Sequence, residues 1–170
     1  RSMNAKGFGV SMPFKQEIIP MLDNVSEDVR IIGACNTVTI TSVGLTGFNT
    51  DWVGALTAID ECGGVIRDGA VIVGDGGVAR AIAYGLKSRG ARVFVASRNE
   101  KRRTAMIRDI KLDGGCDLPH QGMFDVKLLV NATPVSELES CPLDLAQHPS
   151  ATAVLDVVFG KKETPLIARA

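Results

Sequence analysis

The sequence predicts an α/β fold: a parallel sheet with helices on both faces. Three observations carry this. A short apolar run, Ala70 to Val73, is bounded by Asp68-Gly69 and by a glycine cluster, as a buried strand would be. A helical run follows, with Ala79, Ile82, Ala83 and Leu86 on one face and Gly90 at its end. Arg92 to Ala96 then supplies a second strand with two β-branched residues. Strand, tight turn, helix and strand in that order form one unit of a parallel sheet.

The turn inside this unit is the most informative stretch. Gly74, Gly76 and Ala79 fit G-x-G-x-x-G/A, and Gly77, ahead of Val78, adds one more residue without a side chain. Such a turn lets the main chain approach a pyrophosphate, which rests on the exposed N–H groups of the helix start. A Gly-rich turn in another parallel α/β protein has the same look, but the flanking strand and helix favour a Rossmann-type dinucleotide unit. Proteins that bind NAD usually carry an acid about 20 residues past the glycines. Here the chain reads Ser97-Arg98-Asn99-Glu100-Lys101-Arg102-Arg103. A carboxylate repels the 2′-phosphate of NADP, whereas guanidinium groups clamp it. Arg98 and Arg102 lie four apart and converge if a helix starts near Asn99. The plain alternative is a solvated basic helix start. NADP is favoured over NAD.

Composition narrows the field. The chain has 170 residues, 19 Lys and Arg against 19 Asp and Glu, and so no net charge, which argues against nucleic acid as a main partner. No apolar run approaches the roughly 20 residues of a membrane span, and no signal-peptide core follows Arg1-Ser2-Met3-Asn4. Cys35, Cys62, Cys116 and Cys141 form no C-x-x-C pair and read as reduced, mostly buried thiols of a cytoplasmic protein. His120 and His148 lack metal-ligand spacing, so no metal is expected.

Taken in order, Gly7 to Met12 reads as a strand end, and Pro13 as the first residue of a helix burying Ile18, Met21 and Leu22, which Pro20 should bend or end. A short helix is expected over Ser26 to Ile32. Cys35 to Ile40 and Val43 to Phe48 read as strands around a Thr41-Ser42 turn. Asn49 or Thr50 caps a helix from Asp51 to about Cys62, with Val53, Leu56 and Ile59 as its apolar stripe. Later strands are expected at Val126 to Val130 and Ala153 to Val158. Between them Asn131-Ala132-Thr133-Pro134 forms a polar turn at a strand's C-terminal end, where open parallel sheets bind ligands.

Six patches stand in one register: VSMPFK (Val10 to Lys15), GACNTV (Gly33 to Val38), GFNTD (Gly47 to Asp51), the VGDGG turn, NATP, and DVVFGKKETPL (Asp156 to Leu166). In this order they resemble the shikimate dehydrogenase family over nearly the whole chain, with Gly9 to Lys15 similar to the shikimate dehydrogenase-like branch. The resemblance implies an NADP-dependent reduction of 3-dehydroshikimate to shikimate, a small-molecule substrate, and a monomer or homodimer. It implies that residues 1–52 are part of a substrate-binding α/β domain and 53–170 an NADP-binding domain, cut at both ends, without its closing C-terminal helices. By the same resemblance Lys15 and Asp51 are the catalytic pair and Ser11 and Asn36 contact substrate. The cofactor meets Gly74, Gly76, Gly77, Val78, Ala79, Ser97, Arg98, Asn99, Arg102, Asn131, Ala132 and Thr133. Phe159 replaces a common tyrosine, and Asp75 puts a carboxylate inside the glycine turn. Two other readings remain: quinate or another small hydroxy acid as substrate, or a fragment that binds nucleotide without turnover.

Overall fold

Two sheets organise the computed structural model, which describes residues 5–63, 68–119, 124–135, 143–158 and 163–170. The first holds β1 (Gly7–Gly9), β2 (Asn24–Val25), β3 (Thr37–Thr41) and β4 (Gly44–Phe48) in the order β1-β3-β4-β2. β1 and β4 run antiparallel to β3, and β2 runs parallel to β4. Helix α1 (Glu27–Ile32) ends in a left-handed Gly33 with φ of +69° and buries Val29 beside Cys35 and Val38.

Two local expectations change here. The β3–β4 turn is Ser42-Val43, one residue later than expected, because Thr41 pairs with Gly44. Gly44 has a φ of +108°, and the Asp23 carboxylate fills the space of its missing Cβ while accepting the Leu45 N–H at 2.7 Å. The segment after Pro13 is a series of turns ending in a 3₁₀ stretch at Ile19–Met21 rather than an α-helix. Pro20 lacks the N–H that a continuing helix would use. Ile18 and Leu22 still pack on the first sheet, but Met21 is exposed.

The second sheet is fully parallel, in the order β7-β6-β5-β8-β9: β5 (Ala70–Val73), β6 (Val93–Ala96), β7 (Gly114–Cys116), β8 (Leu128–Asn131) and β9 (Ala153–Asp156). β5, predicted at these bounds, is wholly buried at the centre. Helix α2 (Asp51–Glu61) packs beside α3 (Gly77–Ser88), and α4 (Glu100–Ile110) follows β6. Leu56 and Ile59 of α2 join Ile82, Leu86 and Met106 over one face of the sheet, while Val71, Val73 and Leu129 line the other core. Val53, expected on the α2 stripe, is exposed, and Trp52 takes its place against the core. The chain winds outward from β5 through β6 to β7, then crosses back to β8 on β5's other side. The order thus reverses between β5 and β8, and ligands of open α/β sheets bind outside the strand ends at such a point.

Among the described residues no helix is long and apolar enough to cross a membrane. The expectations for His120, Cys141 and Phe159 lie outside the described residues.

Candidate active site

The register of the parallel strands brings three sequence segments to one edge. Val73 pairs with Ala96 and with Asn131, so the turns after β5, β6 and β8 leave the sheet together. The Gly74 N–H donates to the Ala96 carbonyl at 2.9 Å, and the Ala132 N–H to the Val73 carbonyl at 2.8 Å. Gly74 has a φ of +120°, and a Cβ there would stand 2.8 Å from the Ala132 carbonyl oxygen. Only glycine lets these two turns close on each other. Gly76 faces open space, since a Cβ on it would meet nothing within 4 Å, and it precedes α3 without any side chain occupying the helix's first N–H groups. Val78 is half-buried. Ala79 is fully buried, packing the helix onto the sheet.

The turn after β8 is folded by Asn131 itself. Its buried Nδ2 donates to Asp156 at 3.1 Å and to the Val135 carbonyl at 3.2 Å. Its Oδ1 accepts the Thr133 hydroxyl at 2.7 Å and the Thr133 N–H at 3.2 Å. Asp156 in turn accepts the Thr164 hydroxyl at 2.6 Å. Asn131 therefore shapes the edge from below, leaving Ala132 and Thr133 half-buried above it.

After β6, Asn99 caps α4 by accepting the Arg102 N–H at 3.0 Å. Ser97 is buried, and its carbonyl accepts from the Arg103 guanidinium. Arg98 is exposed and makes no hydrogen bond or ion pair to any described residue. Arg102 does not project beside it unengaged: its Nε lies 3.2 Å from the Asp75 carboxylate. The basic run thus divides into one structural arginine, one spoken for, and one available.

The first lobe delivers its side chains to the same edge. The Val10 N–H donates to the Asn36 carbonyl at 2.8 Å and the Cys35 N–H to the Lys15 carbonyl at 2.7 Å, extending the β1–β3 pairing around the VSMPFK loop. Lys15 Nζ then donates to Asp51 Oδ2 at 2.7 Å, with both side chains largely buried. Asn36 Nδ2 donates to the other oxygen, Asp51 Oδ1, at 2.8 Å, and its Oδ1 accepts the Thr50 N–H at 2.9 Å. Lys15, Asn36 and Asp51 form one bonded cluster. It abuts the glycine turn: a Cβ on Gly77 would lie 3.4 Å from Lys15 Cβ and 3.2 Å from Ala34 Cβ. Ser11 is exposed, and its hydroxyl bonds to none of these three. Burial, the largest influence on it, pushes the pKa of the Cys35 thiol up, and the fully buried side chain packs beside Val29 and Val38.

Two further residues position the site: Asn49, expected at the start of α2, and Arg80, which the sequence reading did not single out. Asn49 is buried, donates to the Ala34 carbonyl at 2.9 Å and accepts the Asp51 N–H at 3.0 Å, fixing the start of α2. Arg80 is buried between the lobes; its Nε donates to the Ile32 carbonyl at the end of α1 and its Nη2 to Asp109 at 3.0 Å. A lone charge inside the apolar run Ala79 to Ala83 was the available signal.

A sequence description of the shikimate dehydrogenase substrate binding domain matches residues 1–38. The NADP(+)-dependent shikimate dehydrogenase of Aquifex aeolicus is 32% identical over 175 residues, covering 100% of this chain and 63% of that protein. The solved shikimate 5-dehydrogenase of Thermus thermophilus in complex with shikimate matches with a TM-score of 0.86 at 32% identity, covering 98% of this chain and 62% of that one. The quinate dehydrogenase of Corynebacterium glutamicum in complex with NAD matches with a TM-score of 0.82 at 30% identity, covering 97% and 63%. The chain spans about three fifths of the length of these proteins. In its fold and in a match that runs along nearly its whole length, the chain is similar to members of the shikimate dehydrogenase family.

Proposed function

We propose that the chain carries the reaction centre of an NADP-dependent dehydrogenase that interconverts 3-dehydroshikimate and shikimate. The observation that carries this reading is the Lys15–Asp51–Asn36 cluster standing against the glycine turn at Gly77. We further propose the division at residues 52 and 53. Lys15 and Asn36 come from the first lobe, whereas α2, which begins at Asp51, buries Leu56 and Ile59 in the second core.

The edge fits a dinucleotide. Open space lies over Gly76, the first N–H groups of α3 have no capping side chain, and Arg98 offers an unengaged guanidinium. Gly74, Gly76, Gly77 and Val78 would hold the pyrophosphate, with Ala79 behind them. Ser97, Arg98, Asn99 and Arg102 would take the ribose phosphate, and Asn131, Ala132 and Thr133 the nicotinamide end. When bound, NADPH supplies the hydride. The rest is work for the protein's own groups. As the substrate carbonyl becomes an alkoxide, a proton must reach its oxygen. Lys15 Nζ is the donor in reach of the turn, and two of its three N–H bonds remain after Asp51 takes one. Asp51 keeps the ammonium in place, while Asn36 keeps Asp51 from turning away. In the oxidation direction the same Nζ receives the hydroxyl proton. Asn36 and Ser11 border the position where ring hydroxyls would lie.

A second reading, quinate as substrate, draws on the quinate dehydrogenase likeness. Both readings are tested by following NADPH absorbance with 3-dehydroshikimate and NADP reduction with shikimate and with quinate. Lys15→Ala is expected to lower turnover at least about 1000-fold while leaving NADPH affinity within about twofold. A comparable loss of NADPH binding would remove Lys15 from the chemistry.

A further inference from the structure

The glycine turn contains a carboxylate that the nucleotide reading alone does not explain. Asp75 sits between Gly74 and Gly76, and its side chain is only 15% exposed. Its Oδ1 lies 3.2 Å from Arg102 Nε, and its main-chain carbonyl accepts from Arg102 Nη2 at 3.5 Å. Arg102 starts on the first turn of α4, after β6, and reaches back over the turn after β5. The guanidinium is thus drawn onto the bend where a pyrophosphate would lie.

We propose that Asp75 is an internal competitor for the dinucleotide's 2′-phosphate: its carboxylate holds Arg102, and the phosphate binds by drawing that guanidinium off it. The proposal rests on the NADP reading above. Arg102 is 53% exposed, so the ion pair is weak, and a phosphate dianion, with twice the charge of the carboxylate and three acceptor oxygens, displaces it. The carboxylate then remains beside the bound phosphates, opposing them. Asp75 therefore moderates both the affinity for NADP and the preference for NADP over NAD, which Arg98 and Arg102 together would otherwise make stronger. Asp75 is a specificity-determining residue rather than a catalytic one.

Titration calorimetry with NADPH, NADH, 2′,5′-ADP and 5′-AMP tests this on the wild-type chain, Asp75→Asn, Arg102→Met and the double variant, each first checked for folding by circular dichroism. Asp75→Asn is expected to tighten NADPH and 2′,5′-ADP about three- to tenfold, and NADH and 5′-AMP less than about twofold. In the Arg102→Met background the differential gain should vanish. Equal gains for phosphorylated and unphosphorylated ligands would overturn the proposal, because the carboxylate would then act on the pyrophosphate alone. So would no change, or weaker NADPH binding, which would make Asp75 an aid to Arg102. If folded wild-type chain and variants all fail to bind either dinucleotide, the dehydrogenase reading falls along with it.

Discussion

Asp51 is useful only because three other residues hold it. Lys15 and Asn36 each occupy one of its oxygens, and Asn49 accepts its N–H from a buried position. Asn49 bonds to the Ala34 carbonyl and the Asp51 N–H, so its influence runs through where α2 begins. Asn49→Ala leaves the Ala34 carbonyl and the Asp51 N–H without their partner, at a cost of about 1–3 kcal/mol. The expected outcome is a kcat lowered about tenfold with KM for NADPH unchanged, together with a lower midpoint in urea. A variant that loses stability alone would make Asn49 merely structural. At this scale the sequence revealed residue types but not engagements. Lys15 and Asp51 were readable from their joint register with other motifs. That Arg102 is tied to Asp75, 27 residues away, and that Ser97 is buried, depends on segments distant in sequence meeting at one edge.

At the scale of elements, the strongly periodic or wholly apolar segments were readable. β5, α3 and β6 needed no partner to announce themselves, because burial on a parallel sheet demands apolar residues. β7 was missed, since Gly114-Gly115-Cys116 has no strand propensity. Its small residues exist because a Cβ on Gly115 would stand 2.6 Å from the Val95 carbonyl oxygen. The same corner is held by charge. Asp113, just before β7, accepts Lys87 Nζ at 2.8 Å and the Val93 N–H at 2.8 Å. Burial works to raise the Asp113 pKa, but the Lys87 hydrogen bond and charge with the Val93 N–H outweigh it, and the carboxyl ends below its ordinary value. A carboxyl lowered in the folded state contributes stability that is complete above the unfolded pKa, about 3.9, and fades as pH falls through the folded value. Asp113→Asn should therefore cost about 1 kcal/mol at pH 7 and progressively less below pH 4. Urea unfolding at pH 7, 4 and 3 measures this, and a difference that stays constant with pH would assign the loss to packing.

Among the polar ties that join the two sheets, one does two jobs. Arg80 leaves the buried face of α3, donates to the last-turn carbonyl of Ile32 in α1, and pairs with Asp109 on α4. A cation at the C-terminal end of α1 also meets the negative end of that helix. Gly33 makes this possible: a Cβ there would lie 3.3 Å from the guanidinium, and its left-handed φ of +69° excludes most other residues. Because α1 packs against Cys35 and Val38, which back the Lys15 and Asn36 segments, the tie fixes the first lobe's angle over the glycine turn. Arg80→Met keeps the length and apolar stem but leaves the Ile32 carbonyl and the Asp109 carboxylate without that partner. About 2–3 kcal/mol should be lost, a fall in Tm of roughly 5–10 °C for a chain of this size. Hydrogen exchange locates the damage: amides of α1 and of the β3–β4 hairpin should exchange faster, while those of β5 and β8 follow only the global loss. On the proposed dehydrogenase reading, kcat should fall with the first lobe's order while NADPH affinity holds. If β5 and α1 lose protection equally, Arg80 supports the whole core and the lobes have no separate hinge at this tie.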